Sequence, residues 1–227
     1  MPPRSGTSAA ISVTDSAALS GPVASVPQVY ALADAVPAHF RALILLGGFT
    51  SLRWSELVNL RRVNVDLQAG LVHIVHTLSE RDVGELDHDS TTKSQAGVRS
   101  VALPELIVPD LRAHLASYSG PDLDAFVFLG ERGSVLRRAN FRRATNWYAT
   151  VKQVGLPEGF HFHDLRHTGN QLAAEAGATT RDLMRRMGHS TVRAAMRYQN
   201  STDRRDRDIA AEMSRRAADT RDEDESG

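Results

Sequence analysis

The sequence contains no cysteine among its 227 residues. This absence excludes disulfide bonds, zinc sites built from thiolates and catalysis by a thiol nucleophile. No apolar run approaches the roughly 20 residues that a membrane-spanning helix needs, and the N-terminal stretch lacks the charged and apolar regions of a secretory signal peptide. We therefore expect a cytoplasmic protein with no membrane partner.

Neither sign of charge is in excess, because 27 basic residues balance 27 acidic ones. The charges are unevenly distributed, however. Residues 203–227 carry nine acidic residues against six arginines, so the rest of the chain is slightly cationic. Residues 132–157, here called the basic segment, hold six basic residues and no acidic one. Such a segment is typical of a phosphate-binding surface, and it is equally typical of a solvated helix face.

Lysine is scarce, since Lys93 and Lys152 are the only two against 25 arginines. The bias indicates the base composition of the source genome. It makes each remaining lysine a residue to consider for function.

The apolar pattern divides the chain into three parts. Residues 1–26 are rich in Ser, Ala, Gly and Pro, which predicts a flexible leader. Residues 27–202 show regular periodicity and are expected to form one folded domain. Residues 203–227 predict a final helix at about 203–217 and an acidic tail. The apolar stripe of that helix is narrow, which favours docking on a partner surface, and it consists of Ile209, Met213 and Ala217.

Within the folded domain, helical spacing dominates. Helical stretches are predicted from residue 27 to about 46, then at about 53–60, 104–118, 137–153, 163–176 and 179–187. Short strands are predicted at 71–78 and 98–103, and residues 125–129 are ambiguous. Gly188 predicts a left-handed cap, and Ser190 predicts the N-cap of a short helix that carries Tyr198. The expected fold class is α+β, mainly helical, with a small antiparallel sheet.

Several polar residues are suited to phosphodiester transfer without a metal. Arginine suits the charge that develops on the non-bridging oxygens, because a planar guanidinium binds two oxygens at once and keeps its proton. The leaving oxygen needs an acid, and the nucleophile must form a covalent phosphoester. The chain supplies, in order, Arg53, Lys93, His163 with Arg166 at i and i+3 on one helical face, His189 and Tyr198.

Each of these residues has an ordinary explanation when it is taken singly. Arg53 could form a surface ion pair with Glu56, and Lys93 could be a solvated charge. His189 could interact with a helix C-terminus, and Tyr198 could be a core residue whose hydroxyl reaches water. Only the ordered set indicates catalysis.

The ordered set resembles the tyrosine recombinase (phage integrase) family. The signature of that family runs Arg, Lys on a β-hairpin, His-x-x-Arg, His or Trp, and Tyr. All six members occur here in order, together with Leu-Arg-x-x-Glu-Leu, Asp-Leu-Arg-His-Thr and Met-Gly-His-Ser, over about residues 27–210. The resemblance implies the DNA breaking-rejoining catalytic fold over residues 27–202. It also implies site-specific DNA recombination and integration without metal, ATP or another cofactor.

The resemblance implies a role for each residue of the set. Tyr198 would attack the scissile phosphate, forming a 3′-phosphotyrosine and freeing a 5′-hydroxyl. Arg53 and Arg166 would stabilise the transition state, and Lys93 would protonate the leaving 5′-oxygen. His163 would act in general acid–base catalysis, because a phenol is mostly protonated at neutral pH. His189 would donate a hydrogen bond to a non-bridging oxygen.

The partners that the resemblance implies are double-stranded DNA and further copies of the chain. A bacterial or phage-encoded recombinase would assemble as a homotetramer on paired DNA sites, with C-terminal helices exchanged between protomers. Two features depart from the family pattern. Ser51 stands where a glycine often precedes Leu-Arg, which would alter that turn, and only about 26 residues precede the first helix, where the family carries a DNA-binding domain. We therefore expect either a fragment or a naturally short form that binds DNA weakly, with strong salt dependence.

Three other functions compete with recombination. A type IB topoisomerase uses similar chemistry to relax supercoils, but acts as a monomer. A zinc hydrolase would use His163 and His167, which have the spacing of an HExxH motif with Asp164 in place of Glu. In that motif Asp164 is a methylene too short for the usual base, and Arg166 would bring a positive charge to the cation. The third alternative is a DNA-binding remnant that keeps these residues without turnover.

Overall fold

A computed structural model describes residues 21–75, 98–130 and 133–188. Its helices in those ranges are α1 (Val26–Ala35), α2 (Ala38–Thr50), α3 (Trp54–Val58), α4 (Val108–Tyr118), α5 (Arg138–Ala144), α6 (Trp147–Gln153), α7 (Phe162–Glu175) and α8 (Thr180–Met187). Its strands are β1 (Val65–Asp66), β2 (Leu71–Ile74) and β3 (Arg99–Ala102). Most of the predicted leader, the helix predicted to carry Tyr198, and the helix and acidic tail predicted within 203–227 lie outside the described residues. None of the helices in the described part is long and apolar enough to cross a bilayer.

Helix α2 is the centre of the fold. Every residue from Ala42 to Thr50 is buried, and α1, α3, α4 and α7 all pack around it. A helix that is apolar on all sides has to be enclosed by other elements. The remaining elements therefore take their positions from α2, including α7, which carries two predicted site residues.

Helices α2 and α7 cross with their backbones in contact at Gly169. A Cβ atom at this position would lie 2.9 Å from the Ser51 nitrogen and 3.0 Å from the Gly48 oxygen. Only glycine allows such an approach without a shift of one helix. The close crossing brings the start of α7 beside the chain that leaves α2.

The three strands form an antiparallel sheet in the order β1-β2-β3. Val72 pairs with Val101 and Ile74 pairs with Arg99, and all four residues are buried. Alternate residues of a strand point to opposite faces, so Arg99 and Val101 share the face that packs on the core. The predicted small antiparallel sheet is confirmed, although β1 was not predicted.

Two predicted helices are divided in the structure. The helical stretch from residue 27 ends at Ala35, because Pro37 favours the extended conformation that Val36 adopts. The helix predicted at 137–153 is wrong as a single element, since Asn146 adopts a left-handed conformation (φ 45°) between α5 and α6. Asparagine tolerates this conformation better than most residues. The break lets Trp147 donate from Nε1 to the Phe160 carbonyl at 2.9 Å.

Two other regions differ in detail from the prediction. The helix predicted to start at Pro104 begins with a 3-10 turn, Glu105–Ile107, before α4. The ambiguous residues 125–129 form neither a helix nor a strand; they are bends with two isolated bridges, Arg61 to Phe126 and Leu129 to Val135.

An aromatic cluster supports the start of α7. The Phe162 ring lies edge-on to Trp54 at 4.8 Å and to Phe141 at 5.4 Å between ring centroids. Such edge-to-face pairs add to the free energy gained by burying the rings. Because Trp54 follows Arg53 and Phe162 precedes His163, the cluster holds the two segments that carry predicted site residues against each other.

Candidate active site

Three of the six predicted site residues lie in the described part of the chain: Arg53, His163 and Arg166. Lys93, His189 and Tyr198 lie outside it. The three described residues come from the start of α3 and the first two turns of α7.

Arg166 is buried and links three elements. Its side chain is on α7, and its residue exposure is only 4%. One guanidinium nitrogen donates to the carbonyl of Ser51, just after α2, and Nη2 donates to the Met187 carbonyl at 2.8 Å. Arg166 therefore fixes the end of α8 against the end of α2.

Arg53 reaches the same end of α8 from the other side of the site. Its Nη2 donates to the Gly188 carbonyl at 3.3 Å, and its Nη1 pairs with Glu56 Oε1 at 3.0 Å. Met187 and Gly188 are consecutive, so the guanidinium groups of Arg53 and Arg166 meet at adjacent peptide groups. The Arg53 side chain keeps 35% exposure, which leaves part of its guanidinium open to solvent.

Glu56 lies beneath Arg53 as a buried carboxylate whose side chain is fully enclosed. Its two oxygens accept from Nη1 and Nη2 of Arg99 at 2.9 and 3.0 Å, and Oε2 also accepts from the Arg53 main-chain nitrogen at 2.7 Å. Burial raises the pKa of the Glu56 carboxyl, but the hydrogen bonds and charges of Arg99 and Arg53 outweigh burial and hold that pKa below 4.5. The carboxylate is therefore charged near neutral pH, and it orients Arg53.

Arginines bind three consecutive carbonyl groups at the end of α8. Arg99 Nε donates to the Arg186 carbonyl at 2.9 Å, and Arg166 and Arg53 bind the next two carbonyls in turn. These carbonyls have no partner within the helix and carry partial negative charge, so cations stabilise them. The helix then ends at Gly188 in a left-handed conformation (φ 61°), which confirms the predicted cap.

His163 lies one turn before Arg166 at the edge of this cluster. Its ring is edge-on to that of His167, with 5.2 Å between ring centroids. Partial removal of water from the ring, together with the positive charges of His167, Arg166 and Arg138, lowers the pKa of His163 below 6.5, although the charge of Asp164 opposes the shift. The ring is therefore neutral at pH 7 and able to accept a proton.

The basic segment borders the site through α5. The Arg138 guanidinium lies 5.6 Å from the centroid of the Trp54 ring, and its charge acts on His163. Further along α5, Arg142 and Arg143 are exposed. The site therefore opens beside a cationic helix.

His163 and His167 have no third residue placed to bind a metal ion with them among the described residues. There, no group of three or more His, Cys, Asp or Glu residues could hold a metal ion. Asp164 instead caps the start of α7, with Oδ2 accepting from the His161 main-chain nitrogen at 2.6 Å.

Sequence reasoning missed Arg99. The sequence did contain a signal. Arg99 lies two positions before Val101 in a predicted strand, so its charge falls on the face of the strand that is expected to be apolar. Sequence alone gave no indication of its partner, Glu56, which lies 43 positions earlier in the chain.

Comparisons with known proteins show which family the sequence resembles. Residues 24–205 match the phage integrase family. A putative prophage phiRv2 integrase of Mycobacterium tuberculosis is 34% identical over 194 residues, which cover 86% of this chain and 51% of that protein. The integrase of Mycobacterium phage FRAT1 is 35% identical over 181 residues, covering 78% of this chain and 53% of that protein. The chain thus spans about half the length of these relatives.

Solved structures agree in fold. The crystal structure of XerA recombinase has a TM-score of 0.63 at 20% identity, covering 94% of this chain and 66% of that chain. The Tn1549 transposon integrase, solved in complex with transposon right end DNA, has a TM-score of 0.64 at 22% identity, covering 87% and 66%. The predicted tyrosine-recombinase catalytic fold is confirmed. Together with the family match, these likenesses establish that the chain belongs to the phage integrase family of tyrosine recombinases.

Proposed function

We propose that the chain cleaves and rejoins DNA at specific sites through a 3′-phosphotyrosine formed on Tyr198. The observation that carries this proposal is the meeting of the Arg53 and Arg166 guanidinium groups at the adjacent carbonyls of Met187 and Gly188. Two fixed guanidinium groups suit a phosphate whose non-bridging oxygens gain charge during transfer. Removing one such donor typically costs roughly 10²–10³ in rate.

In this proposal each bond that breaks is matched by one that forms. The Tyr198 oxygen bonds to phosphorus as its proton passes to His163, and the bond from phosphorus to the 5′-oxygen breaks. Lys93 gives a proton to that oxygen, and His189 donates a hydrogen bond to a non-bridging oxygen. A 5′-hydroxyl then reverses the steps on a new strand. Because one phosphodiester replaces another, neither ATP nor a metal ion is required.

The electrostatic state of the site supports these assignments. The buried Glu56 carboxylate neutralises one of the positive charges of Arg53 and Arg99, so that the guanidinium groups can lie close together. His163 has a lowered pKa, which makes it the described residue suited to accept the phenolic proton.

We propose double-stranded DNA as the substrate and a homotetramer on paired sites as the active assembly. Integrases encoded by a bacterium and a phage are among the relatives, which supports this. We also propose a cytoplasmic location, because the DNA of bacteria and their phages lies there. A groove of about 730 Å³ between β3 and the α7–α8 pair offers a seat for the C-terminal helix of another protomer. Its apolar lining includes Phe49, Val101, Pro104, Leu172, Ala173 and Ala176. The narrow stripe of Ile209, Met213 and Ala217 is apolar, like the lining of this groove.

The chemistry is tested with a pool of nicked duplexes of random sequence, in which cleavage releases a short strand and traps the covalent adduct. Wild-type protein should give adducts that survive denaturant and chelator, and sequencing the trapped DNA should reveal one preferred site. Tyr198→Phe should give none, whereas Tyr118→Phe, which alters an exposed tyrosine on α4, should behave as wild type.

Each other result has a definite meaning. Adducts that persist in Tyr198→Phe exclude that residue as the nucleophile. Adducts without sequence preference, together with relaxation of supercoiled plasmid by a monomer, indicate a topoisomerase. DNA binding without any adduct indicates a catalytically silent remnant.

A further inference from the structure

Arg99 is a charged residue in an apolar position. It shares the core-facing side of β3 with Val101, and its side chain is only 4% exposed. Burying a charge costs free energy unless partners compensate it closely. The position therefore requires a specific reason for arginine.

The contacts of Arg99 use the full shape of the guanidinium group. Nη1 and Nη2 donate to the two oxygens of Glu56, and Nε donates to the Arg186 carbonyl. A planar group with donors on three nitrogens can make these bonds at the same time, whereas a lysine ammonium cannot match both carboxylate oxygens in one plane. Arg99 therefore joins the sheet, α3 and α8 at one point.

Glu56 and Arg186 each connect Arg99 to an arginine that binds phosphate in the proposed function. Glu56 accepts from the main chain and the side chain of Arg53. The Arg186 carbonyl precedes the Met187 carbonyl, which Arg166 binds. A shift of Arg99 would thus move the supports of Arg53 and Arg166 together.

We propose that Arg99 is a positioning residue for DNA cleavage, because it sets the orientation of Arg53 through Glu56 and the end of α8 through Arg186. This inference rests on the proposed function. In the proposed function, Arg53 and Arg166 bind the phosphate and Arg99 does not touch it. Its substitution should therefore affect the rate of the chemical step more than the affinity for DNA.

The charges around Glu56 also support a positioning role for Arg99. With Arg99 replaced by an uncharged residue, Arg53 would be the cationic partner left to the buried carboxyl among the described residues. Burial would then raise the pKa of Glu56, and a protonated carboxyl would hold Arg53 less firmly. The change can be followed in the DNA-free protein by the carbon-13 signal of the Glu56 carboxyl.

The experiment compares wild type with Arg99→Met, Arg99→Lys and Arg62→Met. Arg62 is a matched control, since it is a partly buried arginine that donates to the Leu115 and Gly120 carbonyls at the end of α4. Adduct formation is timed at saturating protein on the duplex selected from the random pool, and affinity is measured on the same duplex by fluorescence anisotropy. Each rate is referred to the folded fraction, measured by circular dichroism.

Arg99→Met should slow adduct formation by about 10- to 100-fold, the range expected when a reacting group is misplaced by about an ångström. Affinity should change by less than about 3-fold, since phosphate contacts dominate it. Arg99→Lys should recover part of the rate, and Arg62→Met should retain it. A wild-type rate in Arg99→Met, or equal losses of rate and affinity, would overturn the proposal. If Arg99→Met does not fold, a wild-type rate in Arg99→Lys overturns it instead.

A measurement without DNA separates this inference from the proposed function. In the free protein, Arg99→Met should raise the pKa of Glu56 and shift the nitrogen-15 signal of Arg53 Nε. An unchanged Arg53 signal would contradict the positioning role even if the wild type forms adducts. A shifted signal in a chain that forms no adducts would uphold the network and reject only the proposed function.

Discussion

Ser51 accepts a hydrogen bond from Arg166 through its main-chain carbonyl, while its own hydroxyl is buried with no hydrogen-bond partner in the described part of the chain. Its backbone is left-handed (φ 60°, ψ 22°) at the end of α2. The turn thus supports a site residue, but both the conformation and the hydroxyl are unfavourable for serine.

Ser51→Gly should therefore stabilise the protein. Glycine adopts the left-handed conformation freely and removes the unpaired hydroxyl, although it increases the entropy of the unfolded chain. We expect the free energy of unfolding to rise by about 1 kcal/mol in urea titrations. Asn146→Gly is the control, because Asn146 is also left-handed (φ 45°) but exposed, so its gain should be smaller. A loss of stability in Ser51→Gly would show that the hydroxyl has a role in the fold.

Gly169→Ala should destabilise the protein. The new methyl group would meet the Ser51 nitrogen and the Gly48 oxygen at no more than 3.0 Å, which forces α2 and α7 apart. Overpacking of this kind costs roughly 1–3 kcal/mol, and the higher helix propensity of alanine offsets about 1 kcal/mol of it. Urea titration should show a net loss of up to about 2 kcal/mol. Glu175→Ala, at an exposed position of the same helix, should change stability by less than about 0.5 kcal/mol.

Adduct formation should depend on pH through His163. Because its pKa is lowered, the neutral form that accepts a proton persists below pH 6.5, so the rate should fall only under that pH. Arg138→Gln removes one of the charges that lower the pKa, so the acidic limb should move towards pH 6.5. If the acidic side of the pH–rate profile does not move in Arg138→Gln, that result would argue against His163 as the proton acceptor.

The same shift affects stability. The unfolded chain takes up a proton at His163 more readily than the folded chain does. As the pH falls below about 6.5, this residue therefore increasingly favours unfolding, until it is protonated in both states. Replacing His163 by glutamine should remove that contribution, which urea titrations on either side of pH 6.5 would reveal.

The exposed arginines of α5 should contribute to DNA affinity through phosphates. Each phosphate contact adds about 0.9 to the slope of log affinity against log salt concentration. If both residues contact phosphates, Arg142→Ala with Arg143→Ala should lower that slope by about 2, measured by anisotropy on a fluorescent duplex. Arg112→Ala, which removes an exposed arginine from α4, should leave it unchanged. An unaltered slope in the double variant would make this part of the basic segment an ordinary solvated helix face.

Local signals in the sequence predicted much of this architecture. The left-handed end of α8 follows from a glycine at the right position, and α7 follows from its apolar spacing. The break at Asn146 was missed, because the spacing of apolar residues continues across it and only packing around Trp147 divides the helix. The two residues of β1 are too few to show any alternation.

The candidate site was predictable where a residue type carries the chemistry by itself. Arg53, His163 and Arg166 stand in recognisable order along the chain. The support provided by Arg99 depends instead on its contact with Glu56, which lies far away in sequence. Glu56 was considered only as a surface partner of Arg53, but it is a buried carboxylate shared by two arginines. Burial of that kind follows from tertiary packing, which local periodicity does not encode.

Helix α8 joins the body of the protein through two unlike contacts. Leu183 and Met187 form a small apolar cluster with neighbouring alanines, separate from the main core, and the arginines bind its final carbonyls. So little buried apolar surface implies that α8 can detach at a lower free energy than the α2–α7 body unfolds, as a cooperative unit of its own. Amide hydrogens of α8 should then exchange ahead of those in α2. Arg53 and Arg166, which we propose bind phosphate, thus lie where α8 meets the α2–α7 body. If so, DNA bound there would lower the frequency at which α8 opens.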